Sequence, residues 1–307
     1  MSDLTKLDLI GNTPLVRLTK IEKQFNIKAN LYAKLESFNV AGSIKDRVAK
    51  HIIESYESQG IINNDSVIIE ATSGNTGIGL ALVCKLKGYK CVIVMPENMS
   101  VERVNLIKSY GAKVVLTDKN KGMSGAIERA ERIKRENKNS IIIGQFENPY
   151  NSEAHYLTTA PEIYKDLNGE VSALFCAVGT GGTITGVGRY LKDKINGVKV
   201  YAIEPFESAV LSGEKAGAHE IQGIGAGFIP KVLDVNVYDK VIKVKSNDAF
   251  EYMKILNTLE FISAGISSGA CLAGALSELK NEEFTGKNVV LIFPDGIEKY
   301  VSVLKNK

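Results

Sequence analysis

No two cysteines in this chain stand at C-x-x-C spacing, no histidines cluster, no apolar run reaches membrane length, and neither sign of charge dominates. Each shortage closes off a class of protein. Cys84, Cys91, Cys176 and Cys271 each lie in an apolar stretch, which reads as buried thiols and not as a disulfide or zinc framework. His51, His155 and His219 are scattered, so no metal site is expected. The 38 basic and 35 acidic residues are mixed along the chain and leave a net charge of +3, which gives no electrostatic reason for a nucleic-acid or membrane-surface partner. Even the densest cluster, Glu128 to Lys138, alternates in sign like the wet face of a helix. The first residues carry no signal-peptide core, and a cytoplasmic location is the expectation.

What is present is an ordinary globular composition, 44% hydrophobic and 24% charged over 307 residues, enough for one large or two packed domains. Short β-branched runs alternate with amphipathic stretches. Strands are expected at Val67–Ala71, Cys91–Met95, Ala112–Leu116 and Ser140–Ile143, with helices at Gly77–Lys87, Ser100–Tyr110 and Ser124–Glu136 between them. A second cycle follows: helix Ser152–Asp166, strand Ser172–Val178, helix Thr183–Ile195 and strand Val198–Ile203. Strand Val241–Val244, helices Ser246–Leu259 and Ser268–Leu279 and strand Asn288–Phe293 close the chain. The fold class is therefore α/β, with two lobes joined near residue 150, each a twisted, mostly parallel sheet flanked by helices.

Four segments carry candidate chemistry. Lys45 lies in Ser37-Phe-Asn-Val-Ala-Gly-Ser-Ile-Lys-Asp-Arg47. A lysine amine forms a Schiff base with an aldehyde, and a helix first turn disfavours its ammonium form. Ser43 and Asp46 have capping-box spacing, and Ile44, Val48 and Ile52 make one buried stripe that anchors the helix. Taken alone, a lysine beside Asp46 and Arg47 reads as a solvated charge, and a plain structural helix has the same stripe.

Gly179-Thr-Gly-Gly-Thr183 joins a buried strand to a helix, where close backbone N–H groups and the helix N-terminus suit a phosphate. A tight strand-to-helix turn fits the same residues. No complete G-x-G-x-x-G or G-x-x-x-x-G-K-[ST] supports a nucleotide instead. Thr72-Ser-Gly-Asn-Thr-Gly77 offers hydroxyl and amide donors at a second helix start, suited to a carboxylate or to a ring oxygen held by Asn75, or simply to capping by Thr72 or Ser73. Ser267 and Ser268 open a late helix, and either can cap it. A serine hydroxyl there can meet a pyridine nitrogen without protonating it. No Asp stands in the segment, which leans the chemistry towards the β carbon.

In order and spacing, Asn12-Thr-Pro-Leu15, Gly42-Ser-Ile-Lys-Asp-Arg47, Thr72–Gly77, Pro96-Glu-Asn-Met-Ser100, Gly179–Thr183 and Gly223-Ile-Gly-Ala-Gly-Phe-Ile-Pro230 resemble the cysteine synthase (O-acetylserine sulfhydrylase) family of fold type II pyridoxal-phosphate enzymes. The resemblance spans nearly the whole chain. It implies pyridoxal 5'-phosphate as cofactor, bound covalently by Lys45, which then acts as the base at Cα. It implies Asn75 at the ring 3'-oxygen, Gly179, Thr180, Gly181, Gly182 and Thr183 at the phosphate, and Ser267 at the ring nitrogen. Thr72, Ser73, Asn75, Thr76 and Gln145 hold the substrate carboxylate by the same resemblance, and that contact draws the smaller lobe closed. The implied smaller, mobile domain is 38–150, and the larger, cofactor-binding domain is 11–37 with 151–307.

The implied reaction converts O-acetylserine and sulfide to cysteine and acetate through an α-aminoacrylate. The nearest rival takes cysteine as donor and releases hydrogen sulfide, forming lanthionine, cystathionine or serine. A cofactor-binding sensor without catalysis is a third class, which the retention of Lys45 and Asn75 opposes. Three departures from the family pattern bear on the donor or nucleophile: Val40 in place of Pro, Ser124 in place of Lys, and Pro294-Asp-Gly-Ile-Glu-Lys-Tyr300 in place of a Ser-Gly-Glu-Arg-Tyr order. The family further implies a homodimer and acceptance of the C-terminal tail of serine acetyltransferase.

Overall fold

The computed structural model of the protein describes residues 5–280 and 282–304. The chain divides into two compact units, one made of residues up to Ile10 with Asn39–Tyr150, the other of Gly11–Phe38 with the chain from Asn151 onward.

In the first unit a four-stranded, wholly parallel sheet runs in the order Lys113–Thr117, Lys90–Pro96, Val67–Ala71, Ser140–Ile142. Its central strands are near-continuous apolar runs because helices cover both faces. Ile68, Ile93 and Met95 pack with Val48, Ile52 and Ile53 of the Lys45–Ser58 helix and with Leu80 and Val83 of the Asn75–Lys87 helix. Ile69, Val92 and Val94 meet Ala126, Ala130 and Ile133 of the Gly122–Glu136 helix on the other side. Each such isoleucine, fully withdrawn from water, contributes about 1.5–3 kcal/mol.

The second unit holds a six-stranded sheet in the order Leu15–Arg17, Asn30–Leu35, Asn288–Phe293, Ala173–Ala177, Lys199–Pro205, Lys240–Val244. Every pairing is parallel except the first, where Leu15 faces Lys34 across an antiparallel edge. The sequence pattern marks no strand before Val67, and the reason is visible at Lys34. This charge sits fully buried in the second strand, its Nζ 2.9 Å from Glu162 and donating to the Thr13 carbonyl at 2.6 Å. A core lysine neutralised from a distant helix breaks the apolar alternation that advertises a strand.

Several helices begin earlier than the apolar periodicity indicates, at Asn75, Gly122, Gly182 and Ile266, because their first turns are made of glycine and small polar residues. The expected Ser152–Asp166 helix runs from Tyr150 and contains a π-turn at His155–Thr159; a second π-turn, Leu256–Glu260, ends the helix that begins at Ser246. Single π-turns of this kind recur at functional sites. All four cysteines are buried, and none forms a disulfide among the described residues. No helix among the described residues is long and apolar enough to cross a membrane.

Candidate active site

Both glycine-bearing turns leave the C-terminal end of a parallel strand, the edge where open α/β sheets bind ligands. In the first unit the turn Thr72–Gly74 follows Val67–Ala71 and opens the helix Asn75–Lys87. The helix-capping reading of this segment fails. Gly74 is the N-cap residue and no side chain caps the helix; Thr72 Oγ1 instead accepts from the Gly74 N–H at 3.2 Å. The Ser73 hydroxyl makes no hydrogen bond among the described residues, while its carbonyl accepts from Arg103 at 3.3 Å. Donors at a helix N-terminus that serve no structural bond suit a carboxylate.

The Lys45 backbone lies against the helix that this turn opens. A Cβ on Gly79, one turn into the helix from Asn75, would sit 3.0 Å from the Lys45 carbonyl oxygen, so the two helices meet at the lysine's own backbone. Ile44, Val48 and Ile52 are all buried and fix the Lys45–Ser58 helix as their spacing predicts. The solvated reading does not hold: Lys45 is half-buried, and Asp46 and Arg47 are buried. The capping box is also absent in its expected form. Ser43 Oγ accepts from the Lys45 N–H at 3.3 Å, and the Asp46 carboxylate reaches back to the Ala41 N–H at 2.5 Å. The chain enters the helix through Ile44, already in helical conformation, which shifts each partner by one or two residues.

Thr76 and Gln145, distant in sequence, come together as a buried pair, the Thr76 hydroxyl donating to Gln145 Oε1 at 2.6 Å. Behind them stands Glu70, which no sequence signal singled out. Its carboxylate accepts the Gly144 N–H at 2.9 Å and the Gln145 N–H at 3.4 Å. Burial pushes this carboxyl up from 4.5 to about 7, opposed by those two backbone bonds and by the Gln145 side chain.

The second unit carries the other candidate turn. Gly181, at φ +82°, is the left-handed N-cap of the helix Gly182–Lys194. The side on which these glycines lack a Cβ is filled by protein: a Cβ would overlap the Gly223 carbonyl at Gly179, lie 2.6 Å from Leu233 at Gly181, and overlap Asn151 Oδ1 at Gly182. The N–H groups of Gly179, Thr180, Gly181 and Thr183 donate no hydrogen bond among the described residues. Four unspent donors in one cradle, at a helix start, are what a phosphate needs.

Two residues that sequence reasoning passed over hold the loop's hydroxyls. Asn151 Nδ2 donates to Thr180 Oγ1 at 3.0 Å, and His155, fully buried in the π-turn, has Nε2 3.2 Å from Thr183 Oγ1 and Nδ1 2.9 Å from Thr159 Oγ1. The sequence shows His155 only as one of three scattered histidines, in a helix of mixed polarity, and gives no signal for this role.

Ser267 lies elsewhere in this unit, in the first turn of Ile266–Glu278. Neither Ser267 nor Ser268 caps that helix; Gly265 does so by its backbone. Among the described residues neither the buried Ser268 hydroxyl nor that of Ser267 has a hydrogen-bond partner. A carboxylate does approach, contrary to the local sequence. The Gly265 N–H donates to the Asp295 carbonyl at 3.0 Å, a Cβ on Gly265 would overlap the Asp295 carboxylate, and the buried Tyr300 hydroxyl donates to Asp295 at 2.7 Å. The departing segment 294–300 thus braces the turn that carries Ser267.

Taken unit by unit, the first offers a lysine on a rigid helix with an amide-and-hydroxyl turn, the second an anion cradle and an unspent serine hydroxyl, and the chemistry of each donor set fits a part of pyridoxal 5'-phosphate. The comparisons agree. A family profile described as pyridoxal-phosphate dependent enzyme matches residues 6–295. The cysteine synthase of Staphylococcus aureus is 47% identical over 295 residues, 96% of this chain and 94% of that protein. A crystal structure of cysteine synthase from Entamoeba histolytica superposes with a TM-score of 0.94 at 41% identity, covering 97% of this chain and 89% of that one. A hydrogen sulfide-producing enzyme from Fusobacterium nucleatum gives 0.92 at 44% identity, covering 98% and 100%. With these matches running almost from end to end, the chain belongs to the family of pyridoxal-phosphate dependent enzymes.

Proposed function

We propose that the enzyme carries out a β-replacement on an amino acid, converting O-acetylserine and sulfide to cysteine and acetate. The single observation that carries this reading is the packing of Lys45 against the helix opened by the Thr72–Gly77 segment, in which Thr76 is paired with Gln145, in a chain 47% identical to a cysteine synthase. The cofactor, when bound, supplies the electron sink that lets Cα give up its proton. Lys45 would hold that group through its aldehyde carbon, and its amine, once free, would accept the proton from the substrate's Cα. The Cβ–O bond breaks and acetate departs. Sulfide then forms the new Cβ–S bond, and Lys45 returns the proton to Cα. Thr72, Ser73, Asn75, Thr76 and Gln145 hold the substrate carboxylate. Asn75 takes the ring oxygen, Gly179, Thr180, Gly181, Gly182 and Thr183 the phosphate, and Ser267 the ring nitrogen. In this reading 38–150 is the domain that answers to substrate, and 11–37 with 151–307 is the domain that carries the phosphate. A homodimer, a cytoplasmic location and docking of a serine acetyltransferase tail belong to the same proposal; co-purification with that enzyme tests the last.

Lys45→Ala is expected to lose borohydride-fixed cofactor and to slow turnover by about 10³-fold or more. Retention of the covalent link, traced by absorbance and peptide mass, would contradict the assignment. The similarity to the Fusobacterium nucleatum enzyme favours a second reading, with cysteine as donor and hydrogen sulfide as product. Separate assays with O-acetylserine, cysteine, serine and phosphoserine, each with sulfide or a second thiol, decide between the two. Faster turnover of cysteine than of O-acetylserine would displace the first reading.

A further inference from the structure

We propose that Glu70 is a positioning residue for the substrate carboxylate, holding Gln145 and through it Thr76 in binding geometry from beneath the site. The inference rests on the reading of Thr76 and Gln145 as carboxylate contacts. Glu70 is the penultimate residue of Val67–Ala71 and points to the face shared by Ile68, so a strand and not a loop fixes it. The neighbouring strand ends at Ile142, and the chain then turns through Gly144, whose φ of +66° is a conformation glycine adopts at little cost. That turn is closed by the Glu147 and Asn148 N–H groups on the Gly144 carbonyl, both at 2.9 Å. Its leading edge, the Gly144 and Gln145 N–H groups, is collected by the two Glu70 oxygens, one each. The Gln145 side chain adds a bond to the same carboxylate, which leaves its Oε1 for the Thr76 hydroxyl. Glu70, Gln145 and Thr76 therefore form one relay, and Glu70 is its fixed end.

Among the described residues no cation pairs with this carboxylate. The titratable groups that feel its charge are Tyr56 on the Lys45–Ser58 helix and Cys91 on the adjacent strand, the latter hydrogen-bonded to Cys84 of the Asn75–Lys87 helix. The Gly122–Glu136 helix turns Ala126, Ala130 and Ile133 to the opposite face of the sheet. Three hydrogen-bond donors alone support the ionised form. A neutral side chain here, protonated Glu or Gln, keeps one full acceptor and must release one of them.

The test uses the holoprotein and two probes, L-serine and L-serinamide, which differ in the carboxylate. Binding is read from the cofactor absorbance. Glu70→Gln is expected to weaken L-serine about tenfold and L-serinamide hardly at all, with KM for the amino-acid donor raised more than kcat is lowered. As pH falls through about 7 the wild-type affinity for L-serine should approach that of Glu70→Gln, so that the ratio of the two collapses towards one. Equal or tighter L-serine binding in Glu70→Gln, or equal losses for both probes, overturns the proposal. Gln145→Ala separates this from the underlying reading. If Gln145→Ala leaves L-serine binding intact, the carboxylate assignment itself falls; if it weakens L-serine while Glu70→Gln does not, only the role of Glu70 falls. Should Glu70→Gln not fold, hydrogen exchange of the Gly144 and Gln145 amides in the wild-type holoprotein decides. Their protection, corrected for intrinsic rate, should drop below about pH 7, and constancy across that range overturns the inference.

Discussion

Thr72–Gly77 and Gly179–Thr183 both leave a parallel strand and open a helix of 13 residues, yet the space around their glycines differs. At Gly179, Gly181 and Gly182 the missing side chain is replaced by a carbonyl, a leucine and a buried amide, so the loop is packed from behind. At Gly74 the nearest atom to an added Cβ is Thr72 Oγ1 at 3.9 Å, so this glycine is open where those three are filled; only Gly77, already inside the helix, is packed, at 3.1–3.3 Å from Ile93, Thr72 and Ile107. The lesson is functional. On the proposed assignment the phosphate, which stays through every turnover, is held by a loop with no space behind its glycines, whereas the carboxylate, which must arrive and leave, is met by a turn that is open at Gly74.

The largest effect that can break this contrast is expected at Gly182. An alanine there overlaps the Asn151 side chain, which is fully buried and already bonded to Thr180, so neither partner can step aside without releasing the loop's hydroxyl. Overpacking of this kind costs about 1–3 kcal/mol, which as binding energy is about 5- to 150-fold in cofactor affinity. Dialysis followed by absorbance measures it. A Gly182→Ala protein that keeps its colour like the wild type would show that the cradle is not rigid.

How much of this was legible beforehand varies by residue. The strand-helix alternation of residues 67–143 follows from unbroken apolar runs, and the chain's β-branched residues reveal it directly. The Asn30–Leu35 strand does not, because Lys34 is neutralised by Glu162, a partner that only the fold brings near. The site motifs were visible as small polar residues at strand ends. Their supports were not. Glu70, Asn151 and His155 each act through one hydrogen bond or two to a motif residue far along the chain, and sequence spacing carries no trace of such a bond. Asp295 misled in the other direction: it lies outside the Gly265–Gly269 run, and only the Gly265–Asp295 backbone bond brings its carboxylate there.

The two turns also differ in what stands behind them, a carboxylate in the first unit and an amide with an imidazole in the second. The first support should therefore leave a pH signature in stability. Glu70 titrates near 4.5 when unfolded and about 7 when folded, raised by burial. The folded chain thus holds a proton that the unfolded chain has lost in that window. Stability falls as pH rises through it, and above about 7 the full difference is felt, about 3 kcal/mol at most. Glu70→Gln removes this titration. Its melting temperature relative to wild type should climb between about pH 5 and about pH 8, and parallel curves would sever the carboxylate from the energetics of this turn.

The smallest effect is expected at Gly74, and it sharpens the contrast most because it is a predicted tolerance. Gly74 has φ −110°, which any residue adopts, and an added methyl meets only van der Waals contact. Two opposing terms decide the sign. Alanine restricts the unfolded chain and so stabilises by about 0.4–1 kcal/mol. As the N-cap residue, alanine is poorer than glycine by a comparable amount, since it shields the helix's first N–H groups from water without offering an acceptor. The sum is close to zero, so the melting temperature and cofactor retention of Gly74→Ala should match the wild type within a degree or two, about the shift that half a kcal/mol produces in a chain of this size. Loss of cofactor in Gly74→Ala comparable to that in Gly182→Ala would mean that the two turns share one mechanical role, and the distinction between a fixed cradle and an adjustable one would have to be given up.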